Sequence, residues 1–500
     1  MPANPDGTTA QPASLRPSSP PRRPLASLLT AVPGLRVRGS VDGVEVTGCT
    51  HDSRAVRAGD LYAALPGARA HGADFAEAVV AAGAAAVLTD ERGSGRFPEL
   101  PVLVAADPRG VLGEVARWVH DDPAAGLLLL GVTGTNGKTT TAFLLEAGLR
   151  AAGHTTALLG TVVTRIGDEV LPSVRTTPEA TDLHAMFAVM RERRVTAVAM
   201  EVSSHALALG RVDGLVFDVA AFTNLSQDHL DFHPTMADYE AAKASLFAPE
   251  RSRRGVVNCD DPAGRRILHD ARIPMTTYGE DSDWRAREVD LRPEGSAFRL
   301  LGRDGADVRL EIRLPGAFNV ANAVCALATL ASGGVPLDEA VRGISGLPGV
   351  PGRMERVDVG QPFLAVVDYA HTPEAVATLL AAVRQVTPGR VIVVLGCGGD
   401  RDRGKRPLMG RAAAEGADIA ILTSDNPRSE DPLAILTEMS ADAPAAVVEP
   451  DRRVAIELAV ARAREGDTVV VAGKGHETGQ EVDGVVTPFD DRVVLREALS

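Results

Sequence analysis

The run Leu127-Leu-Leu-Leu-Gly131-Val-Thr-Gly134-Thr-Asn-Gly137-Lys138-Thr139-Thr140, which opens a helical stretch at 142–151, decides the fold class. A buried strand that feeds a helix through a tight polar loop is the unit from which α/β proteins are built. Glycines let the backbone curl so that successive N–H groups face a phosphate, and the helix N-terminus adds about half a positive charge there. Lys138 can then reach the terminal phosphates and Thr139 can hold magnesium, so Gly134, Thr135, Asn136, Gly137, Lys138, Thr139 and Thr140 are expected to cradle ATP. The loop departs from the strict GxxxxGK[ST] pattern, because Val132 stands where the first glycine would be and the earlier glycine is Gly134. A glycine-rich turn with an incidental lysine is the rival reading; strand, loop, paired threonines and helix together favour a phosphate site.

Outward from this loop, β-rich runs at 127–132, 197–202 and 216–222 alternate with helical patterns, which implies a parallel sheet covered by helices. Glu201 ends one of these runs, where a carboxylate suits magnesium or stays a solvated strand-end residue. His229, in the polar loop Thr223-Asn-Leu-Ser-Gln-Asp-His-Leu-Asp-Phe-His233, is a candidate for metal or phosphate contact, against the usual structural role of a lone histidine. After the linker-like Leu347-Pro-Gly-Val-Pro-Gly352, four apolar runs (364–367, 391–395, 419–422 and 468–471) each end in a polar cluster containing Gly or Pro. Ligands of open α/β sheets bind beyond the carboxyl ends of strands, which is where all four clusters fall.

Five hundred residues are too many for one core, and 45% hydrophobic with 24% charged residues is ordinary for a globular protein. The net charge of −14 disfavours a general nucleic-acid or anionic-membrane surface, and no run near the loop is long enough to cross a bilayer. Cys49, Cys259, Cys325 and Cys397 lack metal-ligand spacing and read as reduced thiols of a cytoplasmic protein. The segment 1–24, rich in Pro, Ser, Ala and Thr, reads as a disordered tail.

Taken in order, Gly134-Thr-Asn-Gly-Lys-Thr-Thr, Glu201-Val-Ser-Ser-His-Ala-Leu, Thr223-Asn-Leu-Ser-Gln-Asp-His-Leu-Asp-Phe-His, Tyr239-Glu-Ala-Ala-Lys243, Gly316-Ala-Phe-Asn-Val-Ala-Asn322, Pro351-Gly-Arg353-Met-Glu and Asp368-Tyr-Ala-His371-Thr-Pro resemble the Mur ligase family. The resemblance covers the chain beyond its tail. It implies an α/β protein of three domains: an N-terminal α/β uridine-nucleotide-binding domain (25–125), a central P-loop parallel-sheet ATPase domain (126–350) and a C-terminal Rossmann-like amino-acid-binding domain (351–500). By position, His51, Ser53, Ala68, Arg69, Ala70, Thr176, Thr177, Ser203 and Arg211 match family contacts to the nucleotide-sugar peptide; Leu209 stands where family members often have glutamine. Lys243 matches the lysine carried as a carbamate (N6-carboxylysine), an anion able to hold magnesium with Thr139, Glu201 and His229. Asn319 and Asn322 match adenine-side contacts, and their spacing puts both on one helix face. Arg353, Asp368 and His371 match the part of the third domain that closes over ATP.

Asp425-Asn426-Pro427-Arg428 resembles the signature of members that add meso-2,6-diaminopimelate to the D-Glu γ-carboxylate of UDP-N-acetylmuramoyl-L-alanyl-D-glutamate. Physically, Arg428 with Asp400-Arg401-Asp-Arg403-Gly-Lys405-Arg406 would form a positive pocket in an acidic protein. Arginine forks pair with carboxylates, Asp425 and Glu477 can take ammonium groups, and Gly473 permits close backbone approach. The implied chemistry is acyl-phosphate formation with Mg2+ and ATP, with Lys138, Glu201, His229 and Lys243 as the catalytic set, followed by attack of an amine, in a cytoplasmic monomer. Rivals are another amide ligase of the superfamily, such as a folylpolyglutamate synthase or the dipeptide-adding enzyme, and a nucleotide-hydrolysing switch.

Overall fold

A computed structural model describes residues 15–67, 69–173 and 175–500, apart from the side chain of residue 304. Two compact units emerge: one runs to Gly131 and takes in His154–Ala220 and Ser245–Arg253, and the other comprises Val132–Gly153, Ala221–Ala244 and Arg254–Ser500. The first fourteen residues of the expected tail, and Ala68, lie outside the described residues. The end of that segment is packed: Arg16 is bonded to Asp60 at 3.0 Å with both side chains buried, well before the boundary expected at 25.

The first unit holds a five-stranded sheet in the order Arg36–Arg38, Val102–Val104, Ala86–Thr89, Asp60–Ala64, Gly48–Thr50. All neighbours are parallel except the first pair. Side chains alternate between faces, so Leu61, Ala63, Leu88 and Leu103 pack with the helix Leu112–Val119, while Tyr62, Val87, Val102 and Val104 pack against residues of the helix Ala76–Ala81. The same unit pairs strand Thr156–Leu159 with Ala197–Glu201 in parallel and with Thr164–Ile166 antiparallel. Two histidines are sealed inside it, His120 at the end of the helix Leu112–Val119 and His184 in Ala180–Glu192. His184 Nε2 meets the Asp213 carbonyl at 3.1 Å. Among the described residues neither ring nitrogen of His120, nor Nδ1 of His184, has a hydrogen-bond partner. Burial pushes their pKa values down to about 3 and about 4, His184 adding to the effect on His120.

In the second unit the helix Lys138–Ala151 packs against Ala317–Ser332 and Leu337–Gly346. Strands Gly255–Asn258 and Met275–Tyr278 run parallel. The alternation expected through residue 350 is interrupted by an antiparallel three-stranded sheet, Arg285–Arg292, Gly295–Leu301 and Asp307–Ile312. Its turns, at Pro293-Glu-Gly295 and Arg303-Asp-Gly305, are ordinary hairpin chemistry that the sequence reading passed over.

The last sheet has the order Glu355–Arg356, Leu364–Asp368, Thr468–Ala472, Val391–Cys397, Ile419–Ser424, Val447–Val448, parallel except for its first strand. Val366, Val393, Leu422 and Val470 pack against three helices on one face; Val367, Val394, Ile421 and Val471 pack with the helices Arg452–Arg462 and Asp491–Leu499 on the other. Burial on both faces explains why these strands read as unbroken apolar runs. Asp368, Ala472, Cys397 and Ser424 thus end side by side, and the four polar loops that follow share one edge. Among the described residues, no helix is long and apolar enough to cross a membrane.

Candidate functional site

The phosphate loop is held in a curl by its own lysine and by its neighbours. Lys138 Nζ donates to the carbonyls of Gly134 and Thr135 at 2.9 and 2.8 Å. Asn136 N donates to Asn224 Oδ1 at 2.9 Å, and Thr223 Oγ1 donates to Asn136 O at 2.6 Å, so residues 223–226 brace the loop. Glycine is required at two places. Gly134 and Gly137 have φ of +148° and +87°, and a Cβ would lie 1.9 Å from Thr223 Oγ1 in the first and 2.4 Å from Asn322 Oδ1 in the second. Asn322 and Asn319 share a helix face as their spacing predicts; Asn322 Nδ2 donates to Asn319 Oδ1 at 3.2 Å and Asn319 Nδ2 to Pro315 O at 2.8 Å.

Lys243, on the helix Met236–Ala244, is buried and donates to Gly134 O at 2.7 Å. Burial, reinforced by the Lys138 charge, drives its pKa well below the ordinary lysine value, with Asp228 pulling the other way. Asp228 lies below the usual carboxylate range: burial raises it, but His229, His371 and Lys405 outweigh that. His229, at φ +55°, sits 3.4 Å from Asp228. His371 is half-buried, and desolvation lowers its pKa against the pull of Asp228.

Arg353 reaches the loop from the third segment: its Nη2 donates to Thr139 Oγ1 at 3.1 Å and its guanidinium lies 4.5 Å from the Tyr369 ring. Asp368 fixes that approach by accepting from the Met354 and Ala370 amides at 2.7 and 2.8 Å, its pKa raised by burial and lowered by Arg353.

At the shared loop edge, a Cβ on Gly473 (φ +113°) would lie 2.9 Å from Asp425 Oδ2, and one on Gly398 would lie 2.9 Å from Arg428 Nη1 and 3.9 Å from Arg401 Cγ. Pro427 O closes against Gly399, where a Cβ would come within 1.8 Å of it. Arg428, at φ +54°, donates to Gly399 O at 2.6 Å and has Glu481 at 3.6 Å. Asn426 Nδ2 donates to Glu477 Oε2 at 2.8 Å, and Lys474 Nζ donates to both Asn426 Oδ1 and Glu477 Oε2, at 3.1 and 2.9 Å.

This corrects the broad basic pocket expected from 400–406. Arg406 is fully buried and held by Glu430 and Glu438 at 2.7 and 2.8 Å, Arg403 pairs with Glu438, and Lys405 donates to His371 O at 3.0 Å. Of the expected arginines, only Arg401 and Arg428 flank Gly398. Lys474 and Glu481 were missed. The cluster Ala472-Gly-Lys-Gly-His-Glu477 was singled out for its place at a strand tip, but nothing in it separates a buried lysine from an exposed one.

The first unit gathers another set. Glu201, nearly sealed from solvent, accepts from Thr161 N at 2.8 Å and Thr161 Oγ1 at 3.1 Å, and Thr161 Oγ1 lies 2.9 Å from Thr176 Oγ1. Thr177 Oγ1 donates to Glu201 O at 2.9 Å and accepts from Ser203 N at 3.1 Å, while Arg211 donates to Thr177 O at 3.3 Å and pairs with Glu179 at 2.9 Å. His51 Nδ1 lies 3.0 Å from Thr181 Oγ1. Ser53 opens the short turn Ser53–Ala55, Arg69 is exposed, and Ala70 O accepts from Gly67 N.

Residues 45–117 match the model "Mur ligase family, catalytic domain", residues 132–330 "Mur ligase middle domain" and residues 352–475 "Mur ligase, glutamate ligase domain". The chain is 58% identical to the UDP-N-acetylmuramoyl-L-alanyl-D-glutamate--2,6-diaminopimelate ligase of Streptomyces avermitilis, covering 91% of this chain and 92% of that one. It is 57% identical to the protein of the same name from Streptomyces coelicolor, covering 95% and 96%. A solved structure titled as a UDP-N-acetylmuramoyl-L-alanyl-D-glutamate--2,6-diaminopimelate ligase superposes with a TM-score of 0.67 at 35% identity, over 93% of this chain and 96% of that one.

Proposed function

Because this chain belongs to the Mur ligase family, we propose that it uses ATP to activate the D-Glu γ-carboxylate of UDP-N-acetylmuramoyl-L-alanyl-D-glutamate as an acyl phosphate, and joins to it an amine of meso-2,6-diaminopimelate. The products are the amide, ADP and phosphate, and the amide is a peptidoglycan precursor. The observation that carries the reading is that one compact unit holds both a triphosphate-type loop and a strand-tip pocket with acidic and arginine side chains on its rim. A nucleotide-hydrolysing switch has no need of the second pocket.

In this reading Lys138 lies along the terminal phosphates, exchanging its two loop carbonyls for phosphate oxygens, and the loop amides spread the charge that builds on them. Arg353, stacked on Tyr369 and aimed at Thr139, adds a fixed positive group on the same side. Asn319 and Asn322 read the adenine side. Thr139, His229 and Lys243 would hold magnesium, with Glu201 the further carboxylate proposed for it, and the ion would neutralise charge on the phosphates. The fit rests on Lys243. A buried amine whose pKa is driven down gives up its proton more readily, and the free amine can add carbon dioxide with release of a proton to give a carbamate anion.

His51, Ser53, Ala68–Ala70, Thr176, Thr177, Ser203 and Arg211 read the nucleotide-sugar peptide. Arg401 and Arg428 take the distal carboxylate of diaminopimelate, Asp425 and Glu477 take ammonium groups, and the backbone of Asn426, Pro427 and Gly473 shapes the pocket. Lysine lacks the distal carboxylate and so forfeits the charge-assisted hydrogen bonds to Arg401 and Arg428, worth about 1.5–3 kcal/mol, or roughly tenfold to a hundredfold in preference. We place the domain boundaries near residues 25, 126 and 351 and the enzyme in the cytoplasm as a monomer.

The test is phosphate release with each substrate omitted in turn, and with diaminopimelate and lysine compared side by side. Release that requires both the nucleotide-sugar peptide and diaminopimelate supports the reading. Hydrolysis with nucleotide alone, or equal use of lysine, sinks it.

A further inference from the structure

Two strands carry the tips of the amino-acid pocket, and they are not neighbours. Ile419–Ser424 leads into Asp425 and Thr468–Ala472 into Gly473, yet Val391–Cys397 lies between them in the sheet. No ladder joins the two strands directly: Ser424 pairs with Cys397 and Ala472 with Leu395 of the strand between, and both ladders stop one residue short of Asp425 and Gly473, which come within van der Waals reach of each other. Besides the Asn426–Lys474 and Asn426–Glu477 bonds between the loops, a buried side chain bridges the strand ends themselves. Arg452 has no exposed side-chain surface; its Nη1 donates to Ser424 O at 3.2 Å and its Nη2 to Ala472 O at 2.9 Å. Those carbonyls belong to the last residue of each strand. The same guanidinium pairs in a fork with Asp491, Nε to Oδ1 at 2.8 Å and Nη2 to Oδ2 at 2.7 Å, and Asp491 is equally buried. Lysine could not do this: its single ammonium lacks the planar fork that holds a carboxylate and two carbonyls at fixed angles.

Resting on the reading of residues 425–428 as the amino-acid site, we propose that Arg452, locked by Asp491, is a positioning residue that sets the distance between Asp425 and Gly473 and so decides how well the amino-acid substrate is held. It touches no reacting atom. Its influence passes through two strand-end carbonyls, so it falls on the amino acid and not on ATP, whose loop is held by Lys138, Asn224 and Thr223.

The experiment uses the full chain and three variants. Arg452→Lys keeps the charge and removes the fork. Arg452→Met with Asp491→Leu removes both charges together, so that no buried ion is left alone, and serves if the first variant does not fold. Arg390→Ala is the control: Arg390 pairs with Asp467 at 2.7 Å at the opposite end of two strands of the same sheet. Each is measured for melting temperature, kcat, KM for diaminopimelate, KM for ATP and the ratio of diaminopimelate to lysine use. Misplacement of a binding group by a fraction of an ångström should raise KM for diaminopimelate about tenfold in both Arg452 variants and narrow the ratio, with KM for ATP within about twofold. Arg390→Ala should lower the melting temperature and leave both KM values in place. An unchanged KM for diaminopimelate, a parallel rise in both KM values, or the same KM shift in Arg390→Ala overturns the inference. If the wild type consumes ATP with a different amino acid, the functional reading fails instead, and the same KM comparison is made with the amino acid it uses.

Discussion

Replacing His120 with leucine should make the protein harder to unfold, most of all in mild acid. The ring is sealed in the first unit with neither nitrogen hydrogen-bonded among the described residues, so leucine forfeits no bond and removes a desolvated polar group. The pH dependence has a definite sign. The folded pKa is lowered from 6.5 to about 3, so the unfolded chain takes up the proton first; stability is complete above pH 6.5 and is lost as the pH falls towards 3. At pH 5 the 1.5-unit gap below 6.5 amounts to about 2 kcal/mol for this ring. His184, lowered to about 4, adds a similar amount at that pH. For a unit of this size 2 kcal/mol corresponds to about 4–8 °C in melting temperature. Scanning calorimetry of wild type and His120→Leu at pH 7.5 and 5.0 reads it directly: the variant should melt higher at both and lose less between them. Parallel losses, or a variant that melts lower at both, would refute the reasoning.

Lys138→Ala should abolish phosphate release while the circular dichroism and melting temperature stay near wild type, because its ammonium bonds carbonyls of its own loop, which residues 223–226 also brace. Gly473→Ala places a Cβ 2.9 Å from Asp425 Oδ2 at a φ of +113° and should lower kcat/KM for diaminopimelate at least about tenfold, with nucleotide binding measured by calorimetry unchanged. Enzyme stripped of carbon dioxide should be slow and recover on adding bicarbonate, and Lys243→Met should be slow under both conditions; full activity of the stripped enzyme would remove the carbamate from the account.

The sequence was most legible where backbone conformation dictates residue type. The turn at Gly134–Gly137 and the helix start at Lys138 were legible because curl, helix start and lysine follow one another, and the four strand tips of the last sheet were legible because strands buried on both faces leave unbroken apolar runs. Asn319 and Asn322 share a helix face because helical spacing fixes it. Charge partners were another matter. Arg403 and Arg406 read as part of one positive cluster with Arg401, yet Glu430 and Glu438, about thirty residues away in sequence, claim them. Arg452 gave no sign of its place, since it follows the capping aspartate Asp451 as any surface arginine could, and only the fold brings Asp491, Ser424 and Ala472 around it. Partnership between distant residues is set by the packed chain, which local pattern does not encode.

The interleaving of the two units bears on how the protein is made. The chain passes between them five times, at Gly131, Gly153, Ala220, Ala244 and Arg253, two of these within the strands Leu128–Thr133 and Val219–Phe222. A nascent polypeptide therefore cannot finish the first unit until Arg253 has left the ribosome, by which time pieces of the second are already outside and waiting for partners. Cutting the gene anywhere between residues 132 and 253 would strand segments of both.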